Sequence, residues 1–173
     1  MIKTILVALL GLLMLGACAK HVIEDRGSVP IEAFSGRLLV MATAKRFQVD
    51  IDWQGKEDNG SLRLTHASSG RIVDVIWENR SMLWRDNLNH NWQPLTEQAL
   101  SEMGVILPPW VLAKVFLGDL PNSMKTKDNF TWKGNWFYGG NKLDLKIRWS
   151  SDRKRVELVD MKHAKKAVVI IDE

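Results

Sequence analysis

The spacing of apolar residues changes twice along the chain and most constrains its fold. Apolar Phe47, Val49, Ile51 and Trp53 alternate with polar residues, as in a β-strand with one buried face. After Pro94 the apolar residues recur every three or four positions, which is typical of helices. Alternation returns near residue 130 and continues to the end of the chain. The order predicted from this pattern is strands, then two helices, then strands again.

Turn-forming residues divide the two alternating regions into short strands. Glycine, serine, asparagine and aspartate favour tight turns, and they interrupt the alternation at residues 55–60, 66–70, 139–141 and 150–154. Consecutive hairpins of this kind predict an antiparallel sheet. The predicted strands are residues 37–42, 47–53, 62–64, 71–77 and 81–85 before the helices, and 130–132, 136–138, 143–149, 155–159 and 167–171 after them.

Capping residues set the predicted ends of the two helices. Thr96 is a suitable N-cap for the first helix, and Gly104 suits the left-handed position after its end. Pro109 fits the first turn of the second helix, which Gly118 and Pro121 end. The apolar stripes are Ala99, Leu100 and Met103 in the first helix, and Leu112, Val115 and Phe116 in the second.

A sheet of about ten strands is too wide to stay flat, because twisted sheets curl as strands are added. We therefore predict the α+β class: a curved antiparallel sheet forming an incomplete β-barrel, with the mid-chain helices as a lid over an apolar cavity. Ordinary core packing is the alternative role for each apolar residue. The candidate cavity residues are Phe47, Val49, Leu64, Met82, Leu100, Met103, Leu112 and Phe116.

The first residues of the chain predict export and lipid attachment. Lys3 precedes an apolar stretch at residues 5–15, which is shorter than the about 20 residues that span a membrane. The run Leu15-Gly16-Ala17-Cys18 resembles the lipobox of bacterial lipoproteins, whose cysteine becomes the acylated first residue. An ordinary secretory signal that ends near a cysteine is the alternative. We predict a signal peptide at residues 1–17, a lipidated tether at 18–33 and a single domain at 34–173.

Composition disfavours a disulfide-stabilised fold and a nucleic-acid partner. Cys18 is the only cysteine, so the core alone must stabilise the exported domain. The chain has 24 basic and 20 acidic residues, and its net charge of +4 falls to +3 without Lys3. The basic residues are scattered apart from residues 153–155 and 162–166, whereas nucleic acid requires a continuous basic face. The modest excess is compatible with an anionic membrane surface, but solvated faces explain the two basic clusters better.

Patterns of catalytic or metal-binding residues are missing from the sequence. The histidines lack the spacing of metal ligands, and no nucleophile elbow or phosphate-binding loop occurs. Asp50 and Asp52 share one strand face, as a glycosidase pair would, but solvated strand positions explain them better. We therefore predict that the protein is not an enzyme and uses neither a cofactor nor a metal.

Eight tryptophans are many for a chain of this length. Trp110 and Trp132 are candidates for a membrane interface, where indole is favoured. A sugar-stacking platform of Trp77, Trp84 and Trp92 is a second possibility. Core packing explains the tryptophans better than either role.

Four segments in order resemble the LolB family of outer-membrane lipoprotein receptors, within the LolA/LolB lipoprotein-localisation superfamily. Together they cover roughly residues 35–150. The most specific is the helical block from Gly104-Val105-Ile106-Leu107-Pro108 to Leu117-Gly118-Asp119-Leu120-Pro121, and the lipobox strengthens the match. The other segments are Gly36-Arg37 with the strand 47–53, Leu62-Arg63-Leu64-Thr65, and Trp136-Phe137-Tyr138.

The resemblance implies an incomplete barrel with a helical lid that handles lipid. Such a protein accepts the acyl chains of lipoproteins from a LolA-like periplasmic carrier and helps to insert them into the outer membrane. It would be a monomer, anchored through acylated Cys18 to the periplasmic face of the cell outer membrane, and Ala19 after the cysteine permits this sorting. The alternative is a LolB-like envelope lipoprotein that binds another lipid or a partner protein, without insertion activity.

The sequence departs from the family pattern in two places. Family members present an exposed apolar residue between the third and fourth strands to help insertion. The candidate insertion loop here, Ala67, Ser68 and Ser69, has no large apolar side chain. Family members also carry a helix before the first strand, for which residues 19–33 are too few and too polar. We therefore expect acceptance of lipid to be better supported than efficient insertion.

Overall fold

The computed structural model describes residues 30–42, 45–102, 105–120, 125–128, 130–138 and 141–172. The predictions for Cys18, Met103, Gly104 and Pro121 lie outside these residues. The strands are β1 (Ala33–Ala42), β2 (Lys45–Gly55), β3 (Asn59–His66), β4 (Arg71–Glu78), β5 (Ser81–Asp86), β6 (Gln93–Pro94), β7 (Lys125–Asp128), β8 (Thr131–Tyr138), β9 (Asn141–Trp149), β10 (Arg155–Asp160) and β11 (Lys165–Ile171), and the helices are α1 (Glu97–Glu102) and α2 (Pro109–Leu117).

The described strands form one antiparallel sheet of eleven strands, in the order β6-β5-β4-β3-β2-β1-β11-β10-β9-β8-β7. β1 pairs with both β2 and β11, so the first and last strands of the chain meet in the middle of the sheet. The edge strands are β6 and β7, and the chain segment between them carries both helices. Neither helix in the described part of the chain is long and apolar enough to cross a membrane.

The predicted elements are confirmed, with two differences. Thr96 caps α1, because its Oγ1 accepts the Ala99 N–H at 3.1 Å, and Gly118 ends α2 with a φ of 78°. Residues 130–132 and 136–138 do not form separate strands. Gly134 pairs with Leu145 of β9, so that β8 continues through the predicted break. The short strands β6 and β7 are absent from the prediction, because neither alternates apolar and polar residues.

The sheet curves around α2. Trp53 of β2 and Trp149 of β9 are separated by three strands, which would place β2 and β9 about 19 Å apart in a flat sheet. Both rings nevertheless contact the Phe116 ring of α2, at centroid distances of 5.0 and 6.2 Å. Phe34 of β1 contacts the same ring at 5.0 Å. We call the face that carries these rings the concave face and the opposite one the outer face.

Helix α2 is seated in the concave face as part of the core. Phe116 is only 1% exposed, and its carbonyl oxygen accepts the backbone N–H of Ile31 at 3.1 Å. The predicted position of this helix over the sheet is therefore confirmed. However, α2 fills the concavity as a plug, which the prediction of a lid over a cavity did not anticipate. Its buried residues are Pro109, Trp110, Val111, Ala113, Val115 and Phe116.

Two glycines make room for a tryptophan beside the β2–β3 hairpin. A Cβ atom on either Gly55 or Gly60 would collide with the indole of Trp77. With both positions bare, Trp77 of β4 lies 4.9 Å from Trp53 between ring centroids. Its Nε1 donates a hydrogen bond to the carbonyl oxygen of Lys56 at 3.3 Å. The hairpin backbone thus lets the aromatic packing of the concave face extend to β4.

Candidate functional site

The predicted cavity residues separate into two groups. Val49 is buried on β2 but does not belong to the core cluster around α2. Phe47, two residues nearer the start of β2, is exposed. Met103 lies outside the described residues. The remaining candidates share one core cluster around α2, in which Met82, Leu100 and Phe116 are buried and Leu64 and Leu112 are half-buried. The structure therefore gathers this second group on the concave face.

Aromatic rings at the centre of the concave face were missed as candidates. Phe34 and Trp53 lie on one side of Phe116, and Trp149 lies on the other. Trp77 adds a fourth strand to this cluster through its contact with Trp53. Alternation places each ring on one face of its own strand, but it does not indicate which face is concave. The cluster therefore becomes visible only when the strands pair.

The indole nitrogen of Trp53 is buried in this cluster. It has no hydrogen-bond partner within the described part of the chain. An unpaired buried donor costs about 1–3 kcal/mol, whereas the neighbouring Trp77 indole is paired with a backbone carbonyl. The carbonyl oxygen of an otherwise apolar ligand would satisfy the Trp53 donor. The concave face therefore contains one polar donor among apolar side chains, and the packed core covers it in this structure.

Burial distinguishes the roles proposed for the other tryptophans. Trp110 is buried within α2, and Trp132 is half-buried against the core. Trp77 lies on the concave face, whereas Trp92 stacks with the Arg85 guanidinium, at 4.6 Å from its carbon to the ring centroid. Trp77 and Trp92 therefore do not present a common surface to a sugar. The sugar-stacking platform is not formed.

Paired charges cover the outer face of β3 to β5. Arg63 donates to Asp74 at 2.7 Å, and Arg85 donates to the same carboxylate at 3.0 Å. The hydrogen bond from Arg63, supported by Arg85, holds the pKa of Asp74 below its usual value. On the same row of the sheet, Asp52 accepts a hydrogen bond from Ser35 at 2.7 Å. These groups line a groove of about 640 Å³ whose charges largely compensate one another.

The candidate insertion loop is a polar turn that closes on itself. The hydroxyl oxygens of Ser68 and Ser69 lie 3.1 and 3.0 Å from His66 Nδ1. Ala67 is exposed, and Gly70 adopts a φ of +63°, which glycine accommodates without strain. Among the described residues, no group of three or more histidine, cysteine or acidic side chains is placed to hold a metal ion.

The β5–β6 loop is fastened to this turn and exposes a leucine. Asn87 Nδ2 donates to a carbonyl oxygen of the β3–β4 turn at 2.9 Å, and Arg71 donates to Asp86 at 3.0 Å. Asp86 also accepts the backbone N–H groups of Leu88 and Asn89, at 3.1 and 2.6 Å. Leu88 is 81% exposed. A large apolar side chain is therefore held beside the turn that lacks one.

We expect the shape of this loop to depend on the charge of Asp86. The backbone N–H of Asn89, followed by the Arg71 guanidinium, holds the pKa of Asp86 below its usual value of 3.8. Because the folded state binds the proton less tightly than the unfolded state, this stabilisation is present above pH 3.8 and is lost as pH falls through the lower folded pKa. The amide resonances of Leu88 and Asn89 should shift with a midpoint below pH 3.8 in an NMR titration.

Asp86→Asn is the control for this titration, because it removes the ionisable group and should abolish the transition. A midpoint at or above pH 3.8 in the original protein would show that these hydrogen bonds do not hold the loop.

Comparisons with known proteins give a partial similarity to a solved structure. No protein-family model matches the chain, and no curated protein matches it. A crystal structure of a LolA superfamily protein from Nitrosomonas europaea is similar over 86% of this chain and 88% of that one. The sequence identity is 12% and the TM-score is 0.47. We therefore base the functional proposal on the geometry of the chain itself.

Proposed function

We propose that the protein is an outer-membrane lipoprotein that accepts acyl chains of other lipoproteins from a LolA-like periplasmic carrier and helps to insert them into that membrane. Acylated Cys18 would anchor it to the periplasmic face. The observation that carries the proposal is the concave face, where a buried Trp53 N–H without a partner among the described residues lies within an apolar surface covered by one short helix. The lipobox and the family resemblance of the sequence agree with this reading.

The energetics of acyl chains require such a surface. Burying one methylene contributes about 0.8 kcal/mol, so release of a lipoprotein with several long chains into water costs tens of kcal/mol. A receptor must therefore present an apolar surface of its own before the carrier releases the acyl chains. The concave face offers aromatic and aliphatic side chains from both halves of the sheet.

Helix α2 would have to be displaced for acyl chains to reach this surface. Its described polar contacts with the rest of the chain include the Ile31 hydrogen bond and an ion pair between Lys114 Nζ and Glu57 at 2.6 Å. Both partners of that ion pair are partly exposed, and such pairs contribute only about 0–1 kcal/mol. Apolar contacts therefore hold α2, and acyl chains can replace contacts of that kind.

A cycle of two lipid probes and one substitution tests the acceptor role. The full-length acylated protein is titrated with a fluorescent ester-linked lipid and with its ether-linked analogue, which lacks the carbonyl oxygens. We expect both to bind. Trp53→Phe should lower the affinity for the ester probe about three- to tenfold, as expected for the loss of one neutral hydrogen bond. It should leave the affinity for the ether probe unchanged.

Trp92→Phe is the matched control, because Trp92 stacks with the Arg85 guanidinium on the outer face and does not belong to the ring cluster around Phe116. It should change neither affinity. If neither probe binds the original protein, the acceptor role is wrong. Equal weakening of both probes by Trp53→Phe would show that the indole N–H does not contact the carbonyl.

Insertion is tested separately, by transfer of a labelled lipoprotein from the carrier to vesicles that contain the protein. Faster transfer than in vesicles without the protein supports the receptor. Probe binding without such transfer would support the alternative, a LolB-like envelope lipoprotein that binds another lipid or a partner protein.

A further inference from the structure

Exposed apolar side chains gather at one end of the sheet. Because neighbouring strands are antiparallel, the end of β1 shares this side with the β3–β4 turn, the β5–β6 loop, the end of β8 and the β10–β11 turn. Leu88 is 81% and Phe137 is 73% exposed at this end, and Phe47 and Met161 are exposed there too. We call this end, with residues 67–70, 87–92, 137 and 161–164, the distal rim.

The distal rim exposes basic groups but few acidic ones. Its turns, residues 67–70, 87–92 and 161–164, contain no acidic residue. Asp86 and Asp160, which precede two of these turns, are only 7% and 2% exposed and are paired with Arg71 and His163. Lys162 is exposed. The turns therefore present apolar groups together with one lysine and no carboxylate, which suits an anionic lipid surface.

The opposite end of the sheet exposes carboxylates as well as basic groups and carries the start of the described chain. Its turns expose Asp58 and Asp152 beside Lys56, Arg80 and Lys154. The 12 residues from Ala19 to Pro30 reach at most about 40 Å when extended, and the ten residues of β1 span about 33 Å. A lipid anchor at Cys18 is therefore long enough to let the distal rim face the same membrane.

Leu88 is the side chain of the rim best placed to enter a bilayer. The Asp86 carboxylate fixes the backbone on which it stands, and Asn87 fastens the loop to the β3–β4 turn. Insertion of a preorganised loop loses little conformational entropy. Trp92 ends the same loop with a partly exposed indole, the side chain most favoured at membrane interfaces.

We propose that the distal rim docks on an anionic lipid bilayer, with Leu88 entering the acyl region and Lys162 facing lipid phosphates. The inference rests on the proposed function and deepens it, because it names the surface from which delivered acyl chains leave for the membrane. It assigns the insertion role to the β5–β6 loop instead of the polar β3–β4 turn to which that loop is hydrogen-bonded.

Depth-dependent quenching of a fluorophore tests the docking. Ser68→Cys on the distal rim and Ser81→Cys at the opposite end are labelled separately in the full-length acylated protein, in vesicles that contain phosphatidylglycerol and nitroxide lipids. We expect quenching at position 68 to exceed that at position 81 by at least about twofold, because the rim lies at the bilayer. Leu88→Asn should lower quenching at position 68 to the level of position 81.

Leu83→Asn is the matched control, because Leu83 is an exposed leucine in the middle of β5, away from the rim. It should leave the quenching unchanged. Equal quenching at the two labelled positions, or unchanged quenching in Leu88→Asn, overturns the proposal. Absence of quenching at position 68 also overturns it and favours a partner protein on the rim. Failure of the lipid-probe titration alone removes the acceptor function but leaves this membrane contact standing.

Discussion

Phe116→Ala is expected to destabilise the fold by about 3–5 kcal/mol, the range for removing a fully buried phenylalanine ring. Phe116 packs against rings of β1, β2 and β9, so its loss opens a cavity where both halves of the sheet meet α2. Unfolding in urea, followed by tryptophan fluorescence, measures the effect as a lower midpoint. The same burial makes a polar substitution at Phe116 a test of folding more than of lipid binding.

Leu117→Ala provides the control at the next position of α2, where the side chain is only half-buried. Its cost should be clearly smaller, since less apolar surface is lost. A cost below about 1 kcal/mol for Phe116→Ala would be far under the cavity range and would contradict the packing of α2 as a plug. It would indicate a helix that rests loosely on the sheet.

Cys18→Ala is expected to abolish acylation and to remove the protein from the outer-membrane fraction. Two acyl chains anchor a protein stably because each buried methylene contributes about 0.8 kcal/mol. The alanine side chain offers no sulfur for the lipid. The described domain begins after the tether, so its thermal unfolding should be unchanged. Mass spectrometry of the N-terminal peptide and fractionation of the envelope measure the two effects.

Ala17→Gly is the matched control, because it keeps a small residue before the cysteine and should preserve both processing and acylation. If the N-terminal peptide of the original protein carries an unmodified Cys18, or is cut elsewhere, the lipoprotein anchor is wrong. The domain would then have to meet the membrane through its own surface alone.

Local chemistry explains most of what the sequence predicted correctly. Thr96 caps α1 through an N–H three residues away, and Gly118 ends α2 through its own backbone conformation. Both effects act within a few residues, so composition and spacing reveal them. The break predicted around Gly134 was wrong because a contact with a distant strand outweighs the weak strand preference of these residues. Pairing with β9 keeps β8 continuous through Gly134.

The candidate site was less predictable, because it depends on contacts between distant segments. The position of Phe116 between Trp53 and Trp149 requires residues of β2, α2 and β9 to meet. The Trp53 indole without a partner among the described residues and the exposure of Leu88 are also properties of the assembled chain. Leu88 is an ordinary loop leucine in the sequence. Its importance appears only when Asn87 joins its loop to the β3–β4 turn.

The sequence by itself determined that two helices lie between two runs of strands, since periodicity and capping act over a few residues. It also determined the lack of a disulfide, because Cys18 is the only cysteine. Only the tertiary structure decided which strand faces are concave, that α2 fills the concavity, and which side chains remain exposed at the distal rim. The physical reason is that burial depends on which distant surfaces meet, and strand register and sheet curvature decide that.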